Sequence, residues 1–237
     1  MTDVAALIAD VEASTGRLAG AVAALDDAGI RGPSTLPGWT RGHVIAHLAR
    51  SADGMTNLLD WARTGVATPQ YPSAAARDAG IADGASRGAA EQLADLRATA
   101  RRFADTAHAM PEPAWTVTVR SFNGDDHAAW FTLVRRWCEV EIHHADLGTG
   151  YTPADWPAAF VDRVLDYTAD RWTFQGNAPV SALRDTDAGR DWRFTTPDPA
   201  PTVAGPGRSL AAWVVGRSPG ERLLSDPPPL PAPPRWP

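Results

Sequence analysis

Residues 135–148, RRWCEVEIHHADLG, bring two Glu, two His, one Cys and one Asp into a stretch whose other side chains are mostly apolar. Carboxylates and imidazoles are common ligands of divalent cations. Glu139 and His143 are four residues apart, so a helix sets them on one face. Arg135 and Asp146 fall on the same stripe. His144 points about 100° away from His143 and cannot share its ligand face. Around the stripe lie Trp130, Phe131, Leu133, Val134, Trp137, Val140, Ile142 and Leu147. A helix apolar on that many sides is central, and a polar stripe on it must meet partners or a metal. The segment also has a plain alternative: Arg135 and Glu139 as an i,i+4 ion pair, with His143 a hydrogen-bonded core histidine.

A second segment, GWTRGHVIAHLAR, adds imidazoles. His47 follows Val44 by one turn and adjoins Leu48, at the edge of a core-facing stripe. His43, one turn earlier, competes with it. Two His and one Glu from facing helices of a bundle build an open metal site, with a fourth position left for water or a substrate atom. That donor set suits zinc best. Asp146, three residues after His143, is either its orienting partner or a solvated charge. Cys138 adjoins Glu139 on an apolar face, where a thiol stays protonated, so it is a poor nucleophile.

These residues need elements to hold them. Val4, Leu7, Ile8, Val11, Leu18, Val22 and Leu25 recur at helical spacing and predict a helix over 3–28. GIRGPSTLPGWT breaks it. Thr40 caps a second helix over 41–64. TGVATPQYPSAAARDAG reads as a long irregular connection, a length that tends to be functional or disordered. A third helix follows over 85–109. AWTVTVRS alternates as a short strand, NGDD turns, and Asp126 caps a fourth helix over 127–147. A fifth helix covers 156–173. VSALRDTDAGRDWRFTTP reads as two strands around a turn, and GRSLAAWVVGRSPG as a short helix ending at Gly216. The expected fold is mainly α with a small α+β part. A helical bundle occupies 1–150, a connecting helix 151–175, and a small α+β domain with a Pro-rich tail 176–237.

The chain has 237 residues and a net charge of −6, with no Lys and no basic run, which argues against nucleic acid as a partner. One Cys excludes an intrachain disulfide and fits a reducing cytoplasm. The first residues lack the positive region of a signal peptide, and no apolar run reaches membrane-spanning length. The tail DPPPLPAPPRWP contains P-x-x-P, a polyproline II ligand pattern. The favoured reading has it packing over its own domain, anchored by Trp236.

TLPGWTRGHVIAHLA and RWCEVEIHHADL resemble the mycothiol-dependent maleylpyruvate isomerases, whose N-terminal domain is a DinB-like four-helix bundle. The shared pattern falls on Pro37-Gly38-Trp39, His47-Leu48, and then Arg136, Glu139, His143, Asp146 and Leu147. The 68–87 loop and the ending, with GRSPG and LPAPPRW, are similar to the isomerase subgroup in particular. The resemblance implies His47, Glu139 and His143 as metal ligands, mycothiol as the thiol cofactor, and Arg77 and Arg217 at a dicarboxylate substrate. Tyr71 is a further candidate in the loop. Read on its own, Arg217 follows a C-cap glycine and could be a surface Arg at a helix end.

The implied reaction converts maleylpyruvate to fumarylpyruvate. A thiolate adds to the double bond, the resulting single bond rotates, and the thiol is expelled. The metal would keep the thiol ionised at neutral pH, and the arginines would clamp carboxylates and the developing enolate. Rival readings are a thiol S-transferase acting on electrophiles, a zinc hydrolase, and a non-catalytic metal-binding module.

Overall fold

The computed structural model describes residues 3–196, 199–234 and 236. It divides into two compact units, Met1–Gly150 and Tyr151–Pro237.

The first unit is a bundle. Helix α1 (Val4–Ala23) starts on Asp3, whose carboxylate accepts from Ala6 N at 3.0 Å. It ends earlier than the apolar spacing suggests. Asp26 caps a separate short helix, α2 (Asp27–Arg31), by accepting from Gly29 N at 2.7 Å. Helix α3 (Arg41–Thr64) has the expected bounds, with Thr40 at its start. Thr40 Oγ1 accepts from His43 N, and Gly65 takes the left-handed conformation at φ 74° that a Cβ would disfavour.

Residues 74–85 correct the reading of an irregular connection. They form a helix, α4 (Ala74–Ala85), capped by Ser73. Its sequence, AAARDAGIADGA, holds one large apolar residue, Ile81, so no periodicity announces it. It forms because it lies on α3, where Gly84 approaches Ala46 so closely that a Cβ would come within 2.8 Å of the alanine methyl. The next helix, α5 (Ala89–His108), then starts at Gly88 rather than running on from 85.

A 3-10 turn over Glu112–Thr116 leads into β1 (Thr118–Arg120), which pairs antiparallel with β2 (Asp126–Ala128). Asp126 is therefore not a helix cap. Its carboxylate accepts from Arg120 Nε at 2.7 Å and Nη2 at 2.9 Å across the hairpin. The alternating strand needed a ladder partner, and this segment supplies it. Helix α6 (Phe131–Asp146) starts after the hairpin. In the bundle α1 packs on α5 and α6, and α3 packs on the same two. Leu18, Val22, Val44, Ile45, Leu48, Leu96, Val140 and Leu147 are the fully buried centre.

The second unit begins with α7 (Ala158–Gln175), closed by Gly176 at φ 61°. Strands β3 (Ala182–Asp185), β4 (Arg190–Arg193), β5 (Thr202–Gly205) and β6 (Leu224–Asp226) form one sheet in the order β4-β3-β5-β6. The β3–β5 pair is parallel and the other two are antiparallel. Helix α8 (Gly207–Val214) lies between β5 and β6 in sequence and packs on α7, with Trp172 and Trp213 edge to face at 6.3 Å. Helix α7 clusters with this unit. The tail has no regular structure beyond Asp226 among its described residues. Trp236 meets Tyr167 of α7 edge-on at 5.6 Å, so the tail lies against its own unit. Arg235 and Pro237 lie outside the described residues.

Candidate metal centre

Helices α3 and α6 pack side by side and bring His47 and Glu139 together from 92 residues apart. His47 Nε2 lies 2.7 Å from Glu139 Oε2, and His143 Nε2 lies 3.6 Å from the same oxygen. The two imidazoles are edge to face at 4.7 Å. One donor atom from each of the three residues falls within 4.8 Å of the others. Three donors of these types, set that closely, fit a small divalent cation. His47 is buried, while Glu139 and His143 keep 26% and 17% of their side-chain surface, so the cluster can be reached from one side.

The helix start separates the two histidines of α3 in position. His43 sits at the third position of the capping box, its Nδ1 taken by Thr40 Oγ1 at 2.7 Å and Thr40 N at 3.3 Å. His47, one turn further in, is the one facing α6. Trp39 stacks edge-on over it at 5.7 Å.

Around the cluster, Asp146 Oδ2 holds His143 Nδ1 at 2.8 Å. Asp146 is buried, which makes it an orienting partner rather than a solvated charge. Its backbone oxygen accepts from Thr35 N at 2.9 Å, fixing the end of α6 to the loop before α3. Arg135 is not an ion-pair partner of Glu139. Its Nη1 lies 3.4 Å from His127 Nε2. Arg136 is the arginine beside Glu139. It is fully buried and donates to Leu48 O at 2.8 Å.

The electrostatics suit cation binding. Burial alone would raise the Glu139 carboxyl. The charges of His47, His143 and Arg136, with the His47 hydrogen bond, outweigh it and hold the group well below the ordinary carboxylate range. Burial lowers His47, against the pull of Glu139, so its imidazole is neutral and carries a lone pair at pH 7. Burial also raises the Tyr71 phenol, with the Glu139 charge adding to it, so Tyr71 stays a donor.

The remaining metal-competent side chains of α6 are spent elsewhere. Glu141 faces α1, where it accepts from Ser14 Oγ at 2.5 Å and Arg17 Nη2 at 2.6 Å. Cys138 is buried.

Arg77 reaches the cluster from the first turn of α4, its Nη2 3.4 Å from His47 Nδ1 and its Cζ 5.9 Å from the Tyr71 ring centroid. Spacing gave no sign of this contact, because α4 itself was not legible. The approach of the 65–73 loop depends on Gly54 of α3, where a Cβ would come within 2.7 Å of Gln70 O and 3.2 Å of the Tyr71 ring. Gln70 in turn accepts from Phe122 N at 2.9 Å, tying the loop to the hairpin.

Arg217 belongs to the second unit. Gly216, at φ 71°, ends α8 in a Schellman arrangement with Arg217 N on Ala212 O at 2.7 Å and Gly216 N on Trp213 O at 3.0 Å. Arg217 lines a cavity of about 460 Å³ together with Arg208 and Arg222 and with the carboxylates of Asp187 and Glu221.

Residues 11–148 match the family model of the mycothiol maleylpyruvate isomerase N-terminal domain, and residues 155–235 match the C-terminal domain model of that family. No curated protein matches. A crystal structure of the mycothiol-dependent maleylpyruvate isomerase is similar over 99% of this chain and 98% of its own, with 28% identity and a TM-score of 0.90. A histidine-to-alanine mutant of that enzyme matches over the same shares, with 28% identity and a TM-score of 0.89. The two-unit architecture and both domain models, which together span nearly all of the sequence, place this chain in the mycothiol maleylpyruvate isomerase family.

Proposed function

We propose that the protein isomerises maleylpyruvate to fumarylpyruvate with mycothiol as cofactor, using a divalent metal, zinc by preference, held by His47, Glu139 and His143. The observation that carries this reading is the cluster itself: two imidazoles and an ionised carboxylate converge within 4.8 Å at a place solvent can reach, in a chain of this family. When bound there, the metal would supply a positive centre that keeps the thiol sulfur ionised at neutral pH for addition to the substrate's double bond.

The chain's own residues do the rest. Asp146 fixes the His143 ring through Nδ1, which leaves Nε2 for ligation. With His47 Nε2 likewise given to a cation, the ring proton sits on Nδ1. That nitrogen then cannot accept from Arg77, and the guanidinium is free to meet a substrate carboxylate. Tyr71, protonated and next to Arg77, can donate to an enolate oxygen. For Arg217 a role toward an anionic group rests on the family resemblance; within its own unit it lines a cavity with Arg208 and Arg222 and with Asp187 and Glu221. Cys138, being buried, leaves the nucleophile's role to an external thiol.

The test is ultraviolet monitoring of maleylpyruvate with and without mycothiol, beside a chlorinated aromatic electrophile. The proposal expects maleylpyruvate to be converted only with the thiol present. It expects no net consumption of thiol, which separates isomerisation from S-transfer. Turnover without thiol would point to a hydrolase, and thiol loss onto the aromatic to a transferase. Either outcome rejects the proposal.

A further inference from the structure

Helix α6 keeps some exposure along one stripe only. All of its residues are buried except Phe131, Arg135, Glu139 and His143, which recur at every fourth position. Two of these four belong to the metal cluster. A solute that reaches Glu139 and His143 along α6 therefore passes Arg135. Side chains on a helix lean toward its N-terminus, so the charged ends of Arg135 and Glu139 keep the spacing of their backbones. That spacing is about 6 Å along the helix axis.

Arg135 is held without being neutralised. Its Nη1 lies 3.4 Å from His127 Nε2, and among the described residues no carboxylate lies within 4.0 Å of it. His127 Nδ1 donates to Ala128 O at 3.0 Å, so Nε2 carries the lone pair and accepts from the arginine. Burial lowers the His127 imidazole, which keeps it neutral. Other arginines of the bundle are paired with acids: Arg50 and Arg87 reach Asp95, and Arg102 reaches Asp53. A neutral acceptor fixes one end of the Arg135 fork and leaves its charge and remaining N–H groups for an incoming anion.

The β1–β2 hairpin supplies this arrangement. His127 lies in β2, and the turn before it carries Phe122, which is 40% exposed and meets Tyr71 edge to face at 5.3 Å. Tyr71 in turn lies beside Arg77. One hairpin thus touches the surroundings of two arginines, Arg77 through Tyr71 and Arg135 through His127.

We infer that Arg135 binds the substrate carboxylate at the end away from Arg77, so that the double bond between the two carboxylates lies at the metal cluster. The inference rests on the isomerase reading above and deepens it, by naming a second carboxylate-binding residue within the helical unit.

Two measurements on the metal-loaded full chain test it. In steady-state kinetics Arg135→Gln should raise KM for maleylpyruvate by about tenfold or more, the loss expected for a hydrogen bond between charged groups. It should leave KM for mycothiol and the metal content unchanged. Arg135→Lys, which keeps the charge but not the fork, should recover part of the loss. Calorimetric titration with pimelate, a saturated dicarboxylate of the same chain length that cannot isomerise, should show one saturable site. Arg135→Gln should weaken that site by a similar factor. The inference is overturned by no saturable pimelate binding, or by equal pimelate affinity in wild type and Arg135→Gln. It is also overturned by a rise in KM for mycothiol alone, which would put Arg135 at the thiol, or by loss of metal in Arg135→Gln, which would make the arginine part of the cluster's frame. A wild type that binds pimelate through Arg135 but does not convert maleylpyruvate would overturn the isomerase reading and leave the carboxylate site standing.

Discussion

At the scale of single residues, the site separates ligands from the groups that aim them. His47, Glu139 and His143 are the proposed donors, whereas Asp146 lies outside that set and holds the His143 ring. The two kinds of residue therefore fail differently. Asp146→Asn should keep the fold and weaken metal affinity by about 10–100-fold, the usual effect of losing such a partner. Competition with a chromogenic chelator measures this, and an unchanged affinity would show that the ring is held by packing alone. Arg217→Ala should keep the metal and lose turnover. A variant that lost both would show that Arg217 is needed for folding. That these three residues meet was readable in the sequence, because Glu139 and His143 share a helical face and His47 lies at the edge of a core-facing stripe. Spacing alone could not separate His47 from His43, because both fall on the same stripe. The difference came from an interaction at the helix start, the capping box that occupies His43.

Element by element, legibility followed apolar periodicity and capping. Helix α3 could be bounded at its start from Thr40, whose side-chain oxygen caps it by accepting from His43 N. Helix α4 could not, because it is Ala- and Gly-rich and is stabilised by lying on α3 rather than by a pattern of its own. The start of α6 was misplaced because Asp126 has the chemistry of an N-cap but is used in a cross-strand pair with Arg120. Two predictions belong here. Gly54→Ala would push the 65–73 loop off α3, so it should cost about 1–3 kcal/mol in urea unfolding. It should also lower kcat/KM, since Tyr71 and Arg77 ride on that loop and the helix after it. Normal kinetics in a destabilised variant would separate the loop's placement from activity. Ser14 links α1 to α6 by donating to the buried Glu141 and accepting from Trp137 Nε1 at 2.9 Å. Ser14→Ala should therefore cost about 1.5–3 kcal/mol, the range for hydrogen bonds to charged groups, with little effect on metal content.

For the whole molecule, stability should depend on pH in a direction set by His47 and His127. His47 and His127 both lie below the ordinary imidazole value, with burial the main cause in each. The unfolded chain takes up these protons first, at about pH 6.5. Their contribution to stability is thus complete above that pH and is lost as pH falls toward and through the native values. Glu139 acts the same way further down. Its contribution is whole above the unfolded value of about 4.3 and is lost as pH falls through its depressed native value. Chelator-treated protein should lose urea midpoint between about pH 7 and about pH 5, and His127→Gln should reduce that loss. A midpoint constant over that range would contradict the assignment. Among the described residues no helix is long and apolar enough to cross a membrane.

The most direct test is elemental analysis of the purified protein beside His47→Ala and His43→Ala. A shared cation between α3 and α6 predicts one divalent metal per chain in the wild type and in His43→Ala, and almost none in His47→Ala. Full metal occupancy in His47→Ala, or its loss in a correctly folded His43→Ala, would contradict the account.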